Sequence, residues 1–136
     1  MTDREAALQK ITVGDIFHAS LRPDSGPSYI CLTLQVHDDR IFARRTTIQS
    51  VHWFDRKTGV EIGDDRVVID SVEPLPEDIR KIILGLDQKY REDEYRWAED
   101  PDWEPPEGSS RLTLDQRRAL LFIADFYPAH RLPPRS

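Results

Sequence analysis

Residues 29–45 read Tyr29-Ile30-Cys31-Leu32-Thr33-Leu34-Gln35-Val36-His37, then Asp38-Asp39, then Arg40-Ile41-Phe42-Ala43-Arg44-Arg45. Apolar side chains stand at Ile30, Leu32, Leu34 and Val36, and the positions between them carry Tyr29, Cys31, Thr33, Gln35 and His37. A period of two is the pleat of a β-strand, in which successive side chains point to opposite faces. The pattern predicts a half-buried antiparallel strand with the Ile30 set turned inward. The acidic pair then returns the chain into residues 40–45, which makes the two runs a hairpin.

The same period extends on both sides. Residues 15–21 follow Gly14 as a strand, and Arg22-Pro23-Asp24-Ser25-Gly26-Pro27 is dense in turn formers. Residues 48–54 are less regular because Ser50 interrupts them, so a bulge or bend is expected there. In Asp55-Arg56-Lys57-Thr58-Gly59 an acid can bond its own backbone and a glycine can take positive φ, which predicts another hairpin loop. Residues 60–62 and 66–72 complete about six short strands. Short strands with frequent turns point to a small curled antiparallel sheet or SH3-like β-barrel, since closure removes exposed edges.

At Pro74 the period changes. Pro76 with Glu77 and Asp78 suits a first helical turn, and Ile79, Ile82, Ile83, Leu86 and Tyr90 follow on one helical face. A helix over about 76–92 is predicted, running through Gly85. Residues 93–111 form an acidic Pro/Trp loop, holding Pro101, Pro105, Pro106 and Gly108. Thr113 and Gln116 have the spacing of a capping box, which starts a second helix over about 114–127, with Pro128 ending it and a frayed tail over 129–136. The fold class expected is α+β, a β-rich part over about 13–73 followed by two packing helices in a single domain.

Composition sets the limits on function. Of 136 residues, 38% are hydrophobic and 32% charged, which is too apolar for a disordered chain. Cys31 is the only cysteine, so neither an intramolecular disulfide nor a thiolate zinc cluster can form, and a reducing, cytoplasmic setting is expected. Neither a secretory leader nor a membrane span is expected. The net charge of −6 is uneven: residues 73–107 carry twelve acids against five bases, residues 40–66 six bases against four acids, and residues 108–136 five arginines against two acids. Such a surface would attract nucleic acid only locally.

The chemistry-bearing residues are sparse. His18, His37, His52 and His130 lack ligand spacing, so no metal is expected, and no phosphate loop, nucleophile elbow or cofactor motif occurs. No catalytic residue is nominated. Tyr29 and His37 beside Arg44 and Arg45 make a candidate binding face, with Arg56 and Lys57 as further cations, because aromatic and basic side chains on a sheet hold single-stranded nucleic acid. Trp97 and Trp103 lie in an acidic stretch, either folded back over the sheet or the first helix or anchoring a partner. The second helix is apolar nearly all round, which points to a homodimer through Leu121 or Phe122.

Gly14-Asp15-Ile16 opening a strand, with Pro23 and Gly26 in the next loop, resembles the start of the small SH3-like barrels that include the MazF and PemK ribonuclease toxins. The likeness covers under a tenth of the chain. Ser28-Tyr29 stands where those toxins carry an Arg-Pro pair, and no catalytic residue is carried over. The expectation is therefore a non-catalytic binding or regulatory module acting through protein contacts. The alternative is a nucleic-acid-binding or RNA-cleaving barrel, which needs Arg44, Arg45, Arg56 and Lys57 to converge with Tyr29 and His37.

Overall fold

The computed structural model describes residues 2–21, 29–108 and 111–134. The turn expected at 22–27 and the last two residues of the tail lie outside them. Six antiparallel strands close into a barrel in chain order: β1 (Ile16–Leu21), β2 (Tyr29–Val36), β3 (Arg40–Arg45), β4 (Val51–Asp55), β5 (Val60–Glu61) and β6 (Asp64–Ser71). Pairing of β1 with β6 joins the edges, with Ala19 opposite Ile69. Helix α1 (Asp3–Gln9) precedes the barrel, and α2 (Glu77–Glu99) and α3 (Leu114–Ala129) follow it. The fold is thus α+β, a closed small barrel with two helices packed on its outside.

Local chemistry forms the hairpins as expected. Asp55 Oδ1 accepts from the backbone N–H groups of Lys57 and Thr58 at 2.8 and 2.9 Å, and Gly59 completes the turn at φ 77°. A side chain at Gly59 would also collide with the Arg4 guanidinium, 2.7 Å from where its Cβ would lie. The irregularity expected at Ser50 is a turn rather than a bulge inside a strand. Residues 46–49 loop out, Gln49 takes φ 60°, and β4 begins only at Val51.

The inward face of β2 is the reverse of the one its apolar pattern predicts. Cys31 and Thr33 point into the barrel with Phe17, Ala19, Ile41, Ala43, Phe54, Val67 and Ile69, and Tyr29 packs at the edge of that cluster. Ile30 and Leu32 point outward and pack with Ile16 under α2 and α3, against Ile83, Ala119, Ile123 and Tyr127. The strand is buried on both faces because helices cover its outer side, so alternation could not tell which face was inner. Within the barrel interior, small side chains at Ala19, Cys31 and Ala43 leave room for the edge-to-face pair Phe17–Phe54, with centroids 5.4 Å apart.

One end of the barrel is plugged by α1, a helix with no apolar stripe to mark it in the sequence. Leu8 and Ile11 enter the core, and Arg4 donates to the carbonyls of Thr58 (2.7 Å) and Ile69 (2.8 Å). Arg56 donates to Gln9 O at 2.8 Å and to His37 O at 2.9 Å, tying the helix to two hairpin turns.

Helix α2 does not end near residue 92 but runs to Glu99, so Trp97 is helical rather than in a loop. The apolar stripe fades after Tyr90, yet no glycine or proline interrupts residues 91–99, and strong helix formers sustain the helix without a core to face. Helix α3 has the capping box, with Thr113 Oγ1 accepting from Gln116 N at 3.1 Å and Gln116 Oε1 from Thr113 N at 2.9 Å. Pro128 sits inside its last turn, and the helix continues to Ala129. The tail is docked rather than frayed as far as Pro133: Leu132 donates to Asp70 O at 2.7 Å, and Arg4 reaches Pro133 O at 3.4 Å.

Candidate functional site

The cations singled out in the sequence lie apart in the fold. Arg44 points outward from β3 and forks onto Asp87 of α2, Nε to Oδ1 at 3.0 Å and Nη2 to Oδ2 at 2.8 Å. Gln49 Nε2 donates to the same Asp87 Oδ1 at 2.8 Å, so one buried carboxylate gathers β3, its following turn and α2. Arg45, one residue on, points the opposite way into the barrel mouth and stacks over the Tyr29 ring at 4.2 Å. Arg56 is committed to α1, and Lys57 is exposed at the β4–β5 turn. His37 lies on the outer face beside Trp53, with ring centroids 5.7 Å apart, where Arg40 covers the same indole at 4.4 Å and Phe42 flanks it at 4.6 Å.

Trp97 and Trp103 pack on each other instead of covering the sheet. Their rings meet edge to face at 5.8 Å, Trp97 Nε1–H donates to Trp103 O at 2.9 Å, and Arg96 lies 5.5 Å over Trp103. The pair ties off the exposed end of α2, where Tyr95 is 65% and Trp97 47% accessible.

Helix α3 divides cleanly. Ala119, Ile123 and Tyr127 are buried against the barrel, and Tyr127 stacks on His18 at 4.8 Å. Burial pushes the Tyr127 phenol well above its usual value, so it stays neutral. The outward face carries Leu114, Arg118, Leu121, Phe122 and Asp125, with Leu121 70% and Phe122 40% exposed. Leu121, Phe122 and Ala124 of that nearly all-round apolar helix are therefore left uncovered by this chain, while Leu120 and Phe126 are partly covered.

The open end of the barrel, opposite α1, holds an arrangement that sequence reading missed. Cross-strand pairing of Cys31 with Arg45, Ala43 with His52 and Phe54 with Glu61 turns Tyr29, Arg45, His52 and Glu61 to the inner side. His52 is the hub. Its Nδ1 is bonded to Glu61 Oε1, its Nε2 lies 2.7 Å from Ser50 Oγ, and its ring meets Tyr29 edge to face at 5.3 Å. An ionised carboxylate only accepts, so Nδ1 carries a proton, and in the neutral ring Nε2 accepts from the Ser50 hydroxyl. Beneath them the Cys31 thiol is fully buried and desolvation drives its pKa far up, which keeps it inert. The residues are spread over positions 29 to 61, and a single visible cue existed: Ser50 and His52 two apart in the irregular run.

Among the described residues, no group of three or more His, Cys, Asp or Glu gathers to hold a metal ion, and no helix is long and apolar enough to cross a membrane. Comparison with protein-family models, curated proteins and solved structures gave no match.

Proposed function

We propose that the domain is a small binding or regulatory module of the cytoplasm that acts through protein contacts, the first of them with a second copy of itself. The observation that carries this reading is the outward face of α3, where Leu121 and Phe122 stand exposed at 70% and 40% with Leu114 a further two turns back at 61%. A stripe of that kind on a helix is worth covering: about 25 cal/mol is gained for each Å² of apolar surface removed from water. Charge supports an antiparallel two-fold pairing. An axis passing between Leu121 and Phe122 sets Arg118 of one copy opposite Asp125 of the other, twice, as a polar rim around the apolar centre.

The test is Phe122→Glu, which places a charge at the centre of the contact and on the monomer loses a stack with the partly buried Phe126. Sedimentation at matched concentration is expected to show a monomer, with circular dichroism showing that the fold is retained and a melting temperature that no longer rises with concentration. Arg118→Asp is expected to weaken association and Arg118→Asp with Asp125→Arg to restore it; a variant series that leaves the mass unmoved removes the pairing.

The nucleic-acid alternative draws its support from a different place than Arg44, Arg45, Arg56 and Lys57, namely the outer face where Arg40, His37 and Phe42 surround Trp53. It requires a gel shift with single-stranded RNA that weakens steeply with salt and is reduced by Arg40→Ala.

A further inference from the structure

We propose that the barrel mouth is a nucleophilic site in which Ser50 takes acyl groups from small esters, with His52 as its base and Glu61 as the positioning residue. The proposal rests on the linear array Ser50 Oγ, His52 Nε2, His52 Nδ1 and Glu61 Oε1. A hydroxyl within hydrogen-bond reach of an imidazole whose other nitrogen is held by a carboxylate is the arrangement that activates serine, and it is recognised by geometry rather than by order in the chain.

The surroundings hold this array in place. Ser50 follows Gln49, whose backbone is left-handed at φ 60°, a conformation that costs a non-glycine residue energy and persists only where neighbours enforce it. Gln49 is held through its side chain on Asp87 and Thr46 O, and the Ser50 carbonyl accepts from Arg45 N at 2.7 Å. His52 is confined between Tyr29 and Phe54, with centroids at 5.3 and 6.3 Å. Arg45, stacked on Tyr29, adds a positive charge to the same barrel mouth.

In the first step Ser50 Oγ bonds to the ester carbonyl carbon as its proton passes to His52 Nε2. The tetrahedral adduct then expels the alcohol, which takes that proton, and leaves an acyl-serine ester. Water, deprotonated by the same nitrogen, releases the carboxylic acid and restores the hydroxyl. The His52 and Glu61 side chains are 14% and 13% exposed, so the base and its carboxylate are largely shielded from water.

A fluorophosphonate probe and p-nitrophenyl acetate test the site on the full chain. The expected result is a single covalent phosphonyl adduct, mapped by mass spectrometry to Ser50 and absent from Ser50→Ala. His52→Gln is expected to slow labelling by about 10²- to 10⁴-fold. Glu61→Gln is expected to shift the pH profile of p-nitrophenyl acetate hydrolysis as well as its rate, which a purely structural carboxylate would not do. No adduct, an adduct on another residue, or an unchanged rate in a folded His52→Gln or Glu61→Gln variant overturns the proposal.

Discussion

Asp87→Ala is expected to destabilise the fold by about 3 to 5 kcal/mol, the usual consequence of removing one partner from a buried ion pair. The Asp87 side chain is 4% exposed and that of Arg44 14%, so neither charge has ready access to water once the other is gone. The loss falls on three elements at once, because the same carboxylate also accepts from Gln49 and so holds the β3–β4 turn to α2. Chemical denaturation of Asp87→Ala measures it. Arg44→Met with Asp87→Leu is expected to recover most of the deficit, since an apolar pair of similar volume carries no desolvation penalty. If Asp87→Ala alone costs under about 1 kcal/mol, the clasp is a solvated surface pair instead.

Phe54→Ala is expected to cost about 3 to 5 kcal/mol, because the ring is wholly buried, meets Phe17 edge to face and leaves a cavity in the barrel interior. Its neighbour in sequence is the control. Trp53 lies half-buried on the outer surface under Arg40, and Trp53→Ala should be the milder change despite the larger side chain. Equal losses in urea titrations would mean that β4 does not present Phe54 to a closed interior.

The contrast between these two neighbours explains which parts of the fold could be read from the sequence. Turn chemistry is local: Asp55 and Gly59, and Thr113 and Gln116, bond within a few residues, and each forms as its sequence predicts. Strand facing is not local. Ile30 and Leu32 are apolar because two helices cover them, and Cys31 and Thr33 are small because the barrel interior is narrow, so the more hydrophobic set turned out to be the outer one. Helix α1 escaped notice because only Leu8 and Ile11 mark its contact with the core. The last turns of helix α2 are not legible in the sequence because they face no core and therefore show no apolar period.

The candidate sites divide along the same line. Leu121 and Phe122 could be found from helical periodicity alone, since the excess of apolar faces on α3 is a property of one segment. Arg44 and Arg45 are adjacent in sequence, but the pleat sends one to Asp87 outside and the other to Tyr29 inside, and no pattern of charge shows that separation. Ser50, His52 and Glu61 meet only because the β4–β5 hairpin sets Glu61 opposite Phe54, one pleat from His52.

Static light scattering of the unaltered chain over a concentration series tests the protein-contact reading most directly. The outward face of α3 predicts a mass near twice the 15.8 kDa of one chain at micromolar concentrations, falling toward a single chain on dilution. A mass of 15.8 kDa that persists at high micromolar concentration would contradict it, leaving Leu121 and Phe122 exposed with no second copy to cover them.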